Sequence, residues 1–151
     1  MATGLERFRQ ATAQLDLDIR EVPQSTHTAQ EAADAVGAPL GAIVKSLLFM
    51  AGETPVLVLV SGSNMADLGV LEAELGEALT KASADQVKQH TGWSIGGVPP
   101  IGHPTPLRTL MDEDFFTLDT LWAAAGSADA VFPVTPARLQ ELAGARIVAV
   151  C

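Results

Sequence analysis

Hydrophobic and polar positions alternate in character along this chain, and the sharpest pattern lies near its first third. Ile43-Val44-Lys45-Ser46-Leu47-Leu48-Phe49 is an aliphatic and aromatic run broken by one lysine, which predicts a buried strand. Strand side chains alternate faces, so Ile43, Lys45, Leu47 and Phe49 share one face, and Val44, Ser46 and Leu48 the other. Lys45 is thereby set among three apolar neighbours. An ammonium in that position must snorkel to water, find a partner or line a polar cavity, because an unpaired buried charge is costly. The simplest alternative is an edge-strand lysine that blocks aggregation.

Gly52-Glu53-Thr54-Pro55 follows as a turn and Val56 to Val60 as a fully buried strand, so the two runs read as a hairpin. Upstream, Leu5, Phe8 and Leu15 give Gly4 to Leu15 helical spacing, and Asp18 to Val22 is a short strand stopped by Pro23. Thr28-Ala29-Gln30-Glu31 has capping-box form and predicts a helix to Val36 with Gly37 as its stop. Ser61 to Asn64 reads as a loop, Met65 to Leu75 as an amphipathic core helix closed by Gly76, and Leu79 to Ala82 as a short extended piece. Ser83-Ala84-Asp85-Gln86 opens another helix, ending near Gly92. Further strands are expected at Trp93 to Ile95, Leu107 to Met111, Thr120 to Ala125, Ala130 to Val134 and Arg146 to Val150. Thr135 caps a last helix, with Pro136 in its first turn, running to about Leu142.

Some of these strands are joined by turns too short for parallel crossovers. The class is therefore α+β: a mixed, partly closed, barrel-like sheet with helices packed outside, formed by a single domain over residues 1–151. No internal repeat or linker divides the chain.

Composition narrows the function. Apolar residues make up 48% and charged residues 18% of 151, the profile of a globular protein. The first ten residues lack the apolar core of a signal peptide, and the apolar runs are too short to span a bilayer, so a cytoplasmic protein is expected. One cysteine, Cys151, and three scattered histidines offer neither a disulfide framework nor a metal cluster, and no cofactor is implied. Only nine Lys and Arg stand against a net charge of −9, which argues against coating DNA or a long RNA but leaves room for contact with a nucleic-acid end.

A second unusual stretch is Gly96-Gly97-Val98-Pro99-Pro100-Ile101-Gly102-His103, with three glycines and two prolines in eight residues. Glycine permits close backbone approach and proline removes freedom and donors. The result is a rigid loop with amides at Gly97 and Gly102 suited to polarising a carbonyl. His103 is the only histidine beside it; His27 and His90 read as surface residues. No phosphate-binding lysine loop, dinucleotide fingerprint or nucleophile elbow is present. Ser61 and Ser63 read as a plain turn, and Asp112, Glu113 and Asp114 as a solvated acidic turn.

Taken together, the lysine strand and this loop, with Thr91-Gly92-Trp93 before it, resemble the YbaK/ProX family of trans-editing aminoacyl-tRNA deacylases, whose domain is also inserted in some bacterial prolyl-tRNA synthetases. Thr28-Ala29 with Ala32-Ala33, and Ala125-Gly126-Ser127 with Thr135-Pro136 and Leu139, follow in the same order. The resemblance spans roughly residues 25–150 and makes the edge-strand reading of Lys45 the weaker one. It implies hydrolysis of the ester between a wrongly attached small amino acid (cysteine, alanine or serine) and the terminal ribose of a transfer RNA, tRNA(Pro) in particular. It implies no metal and no covalent nucleophile, and this sequence offers candidates for neither.

By the same resemblance Lys45 is the essential cation, and Gly102, with Gly97 as second choice, the backbone donor to the ester carbonyl. Ser46, Pro100, His103 and Ser127 would complete the substrate contacts. The implied partners are the tRNA acceptor end and a prolyl-tRNA synthetase. Lys81 and Arg108 are further candidates for phosphate contacts. Ser46 after the lysine and Pro99 before Pro100 depart from the family's usual residues. A non-catalytic module binding aminoacyl ends or a synthetase is the alternative from another class, and a small-molecule amidase or esterase a third.

Overall fold

The computed structural model describes residues 3–22 and 28–151; the expected stop at Pro23 and His27 lie outside them. Among the described residues eight strands form one mixed sheet: β1 (Arg20–Glu21), β2 (Ile43–Ala51), β3 (Thr54–Ser61), β4 (Thr80–Lys81), β5 (Arg108–Asp112), β6 (Leu121–Ala124), β7 (Ala130–Val134) and β8 (Arg146–Val148). Their order is β1-β7-β6-β2-β3-β5-β8, with β4 attached to β2 outside this path. The mixed character is as expected. Closure is not: β1 and β8 end the path unpaired with each other, so the sheet stays open.

Five helices accompany it among the described residues: α1 (Gly4–Ala11), α2 (Ala29–Val36), α3 (Leu68–Leu75), α4 (Ala84–Thr91) and α5 (Pro136–Ala143). Local chemistry sets their ends. Thr28 accepts from the Glu31 amide to start α2, and Gly37, at φ 69°, stops it where a side chain would be strained. Ser83 and Gln86 form the full reciprocal capping box of α4.

β2 and β3 are the centre, paired antiparallel from Val44↔Ser61 to Ala51↔Thr54. Their alternation splits the core. Val44, Leu48, Leu57 and Leu59 join Phe8 of α1, Val87 of α4 and Leu139 of α5. Phe49, Val56, Val58 and Val60 join Leu71 of α3. Ile43 packs on Ala32 and Ala33 of α2. At ~25 cal/mol per Å² of apolar surface removed from water, these two-sided strands carry much of the folding free energy.

Several boundaries differ from the pattern-based expectation, some through local caps and some through contacts distant in sequence. The helix expected from Met65 starts at Leu68, because Asp67 is the N-cap, accepting from the Val70 amide at 3.2 Å. Trp93 to Ile95 is not a strand. The Trp93 amide donates to Thr91 Oγ1 and its indole to the Gly4 carbonyl, 2.9 Å away, so the segment folds onto α1. Arg146 to Val150 is cut at Val148, since the Val150 carbonyl accepts from the Asp67 amide instead of extending the ladder. The first strand shrinks to Arg20–Glu21, although Val22 still donates to the Asp129 carbonyl.

Candidate active site

One edge of β2 is fully paired with β3, but the other is shared. β6 runs parallel to its start, at Ile43↔Trp122 and Val44↔Ala123. β4 runs antiparallel to its end, at Phe49↔Lys81 and Met50↔Thr80. Between these two short pairings the sheet has a gap, and there Lys45, Ser46 and Leu47 are partly exposed, flanked by buried Ile43-Val44 and Leu48-Phe49-Met50. A cavity of about 640 Å³ opens there. It is lined from one face by Ala32, Ile43, Lys45 and Leu68, from the other by Leu48, Ala82, Val87 and Val98, and at its side by Trp122 and Ala123 of β6. Met65 and Ile95, 84% and 62% exposed, sit at its margin as apolar lips.

Two cations line this cavity, the half-buried Lys45 of β2 and the exposed Lys81 of β4; Lys45 is fixed by a hydrogen bond. Its Nζ donates to the main-chain oxygen of Asn64, 2.5 Å away. Burial pushes its ammonium below the ordinary 10.5, and the nearby Asp112 carboxylate pushes partly back. An ammonium has three donors, so one anchors Lys45 and two remain for a ligand.

Asn64 is itself held. Its side-chain amide donates to Asp112 Oδ2 at 2.9 Å and Asp114 Oδ2 at 2.8 Å. Asp112 also accepts from the amides of Ser61 (3.0 Å) and Asp114 (2.9 Å). At 1% exposure Asp112 is not part of a solvated acidic turn. It ends β5 beside β3, and its carboxylate replaces water for three donors of the neighbouring loops. Ser61 and Ser63 belong to the same knot: their hydroxyls lie 3.1 Å apart, and Ser61 Oγ donates to the Gly41 carbonyl at 2.7 Å. Asn64 and Asp112 thus support the site, a role the sequence reading missed. The available signal was a carboxylate wedged between the apolar Leu110-Met111 and Phe115.

The glycine-proline loop is placed differently from Lys45 and Ser46. Gly96 and Val98 line the cavity; Gly97, Pro100, Gly102, His103 and Ser127 are not among its lining residues. The Gly97 amide is not free, since it donates to the Ser94 carbonyl at 3.0 Å. A Cβ on Gly97 would lie 3.2 Å from Ser127 Cα, so these two positions pack backbone to backbone. Gly102, at φ 83°, faces Phe8, Ala11 and Thr12 of the first helix region. Pro100 is buried behind the loop, and Ser127 Oγ donates to Asp129.

His103 locks the loop from within. Its Nε2–H donates to the Pro99 carbonyl at 2.9 Å, and its ring meets Trp93 edge-on with centroids 5.4 Å apart. Burial lowers its pKa below 6.5, opposed by the Pro99 contact. Arg7 lies over the Trp93 ring at 4.6 Å and binds the Gly92 carbonyl, tying α1 to the same loop.

Comparison with known proteins places this mixed sheet and its gap in a family. The chain matches the aminoacyl-tRNA editing domain over residues 23–142 and belongs to that family. It is 29% identical over 131 residues to the uncharacterized protein YwhH of Bacillus subtilis (strain 168), covering 86% of this chain and 83% of that protein. It is 31% identical over 131 residues to the proline–tRNA ligase of Latilactobacillus sakei subsp. sakei (strain 23K). That match covers 85% of this chain but 23% of the ligase, so the chain corresponds to under a quarter of that enzyme. A solved structure described as a proposed trans-editing enzyme for prolyl tRNA synthetase superposes with a TM-score of 0.93 at 42% identity, over 99% of this chain and 98% of the other. Among the described residues, no helix is long and apolar enough to cross a membrane.

Proposed function

We propose that this chain is a trans-acting hydrolase of mischarged aminoacyl-tRNA, cleaving the ester between a small amino acid and the terminal ribose. The observation that carries this reading is Lys45: an ammonium in an apolar cavity, fixed by one hydrogen bond and with two donors to spare. The cavity volume lies within the ~300–1000 Å³ usual for small-molecule sites, room for an aminoacyl group and the terminal nucleoside. In this reading Lys45 holds the ester carbonyl or the terminal phosphate, and a water attacks the carbonyl carbon. The acyl–oxygen bond breaks, the ribose oxygen takes the proton, and a free amino acid and intact tRNA leave. The short side chains of Ala82, Val87 and Ala123 on the wall support a small substrate. Editing of this kind serves where one methylene in a synthetase pocket discriminates by only ~1–3 kcal/mol. The likeness to proline–tRNA ligases and to a proposed prolyl trans-editing enzyme supports tRNA(Pro) as the carrier and a prolyl-tRNA synthetase as the neighbour in the cell.

The test is deacylation of a panel of alanyl-, cysteinyl-, seryl- and prolyl-tRNA(Pro). One or more of the first three should be hydrolysed faster than the spontaneous rate while prolyl-tRNA(Pro) is spared. Tight binding of the panel without any hydrolysis would instead make the chain a binding module.

A further inference from the structure

The gap in the sheet exposes main chain as well as side chains. The Ile43 carbonyl accepts from the Gly62 amide at 2.8 Å on the β3 side. Main-chain groups of successive strand residues point to opposite edges, so those of Lys45 and Leu47 turn to β3 and those of Ser46 and Leu48 to the gap. The Leu48 carbonyl is taken by the Ala82 amide at 3.1 Å. β6 stops pairing at Val44 and β4 begins at Phe49, so among the described residues no strand partner serves the N–H and C=O of Ser46. Ser46 Oγ is buried, likewise without a partner there. Buried main-chain groups are nearly always satisfied; Ser46 is half-buried and is one of the residues lining the cavity.

We infer that the open edge of β2 at Ser46 is a main-chain subsite for the aminoacyl group, its C=O accepting from the free α-ammonium and its N–H donating to the acyl carbonyl. This rests on the deacylase reading and adds to it a requirement for an unblocked amine. The edge pairs with the aminoacyl group as one residue of an added strand would pair. The Lys45 side chain leaves the sheet toward the α2 and α3 face, whereas the Ser46 main chain lies in the sheet plane, so the two serve different atoms. An N-acylated aminoacyl ester loses the charge-assisted bond, about twice as strong as a neutral one, and brings extra volume into a gap bounded by β6 and β4.

The experiment uses the 15N-labelled full chain and 3′-(L-alanylamino)-3′-deoxyadenosine, an amide-linked probe that cannot be cleaved as an ester. Saturating probe should slow hydrogen exchange of the Ser46 amide by ~10-fold or more, and N-acetylation of the probe should weaken binding by ~10-fold or more. Probe that binds, and binds worse to Lys45→Ala, yet leaves Ser46 exchange unchanged and tolerates N-acetylation, overturns the subsite and leaves the deacylase reading standing. No binding of the probe together with no hydrolysis across the tRNA panel overturns both.

Discussion

The main-chain oxygen of Asn64 accepts a hydrogen bond from Lys45 Nζ at 2.5 Å, across nineteen positions of sequence. Asn64 is in turn pinned by Asp112 and Asp114. The cation therefore does not swing freely in its cavity. Its position is set by a loop whose own position is set by a buried carboxylate.

Replacing Lys45 by alanine is expected to lower deacylation by ~10²–10³-fold, the loss typical of one electrostatic contact to a developing charge. The fold should persist, because the chain loses a half-buried ammonium that burial disfavours. Single-turnover rates and circular dichroism on the same sample check both halves; a wild-type rate in the variant would sink the assignment.

Binding of the amide-linked probe should weaken as pH rises through the Lys45 value, which burial sets below 10.5. The stability sign is opposite: the unfolded chain keeps this proton up to about 10.5, so between the two values unfolding free energy rises with pH. Asp112→Asn removes the carboxylate that raises the Lys45 value, so the loss of binding should move to lower pH. It should also destabilise by ~1–3 kcal/mol, because an amide must turn its NH2 toward one of the N–H donors that the carboxylate now accepts. Titration of probe affinity and urea unfolding report the two effects separately, and an unmoved alkaline limb would show that Asp112 does not act on Lys45.

The short-range chemistry of the chain was legible in its sequence. Thr28, Ser83 and Thr135 cap the helices their spacing predicts, and the β2–β3 hairpin follows from two apolar runs around a turn. The sharing of the β2 edge was not legible, since β4 and β6 reach it from distant segments and only their register leaves Ser46 unpaired. Asp112 was misjudged for the same reason: a run of three acids reads as solvated, and only its approach to Ser61 and Asn64, about fifty positions away, makes it buried. The glycine-proline loop was recognised as rigid, but the consumption of the Gly97 amide by Ser94 is a turn detail that composition does not carry.

Gly4→Ala sets two rules against each other. Alanine favours a helix over glycine by ~1 kcal/mol, yet a Cβ at Gly4 would stand 2.2 Å from the Gly126 carbonyl oxygen. Backbone cannot yield as a flexible side chain does, so the expected result is a net loss of ~1–3 kcal/mol and a lower Tm. A raised Tm would mean that α1 does not seat on the Gly126 turn.

His103 carries a pH signature. Its folded value lies below 6.5, so its contribution to stability is complete above about 6.5 and is lost as pH falls toward the folded value. His103→Phe removes this dependence along with the Pro99 hydrogen bond, so wild type should lose more stability than the variant between pH 7.5 and 5.5. Equal losses in urea titrations at those two pH values would refute the assignment.

Salt dependence should be shallow. With two to four phosphates engaged, log affinity for an acceptor-stem minihelix should fall against log salt with a slope of roughly −1.5 to −3, at ~0.7 per phosphate. Lys81 lines the cavity, and its alanine variant should reduce the slope by ~0.7. Arg108 is engaged by Glu77 at 2.6 Å, and its replacement should leave the slope unchanged. A slope near −6 would reveal a broad basic surface.

The divided edge of β2 also orders events in time. The β2–β3 hairpin is local and can close as soon as its residues are free, whereas the cavity wall made by Trp122 and Ala123 belongs to a strand made much later. At ~5–20 residues per second on the ribosome, the hairpin waits on the order of seconds for β6. During that interval the lysine strand presents an unguarded edge of apolar β-structure, the kind that pairs with a neighbouring chain. A charged side chain on an exposed edge disfavours such pairing, and Lys45 stands in the middle of that apolar run.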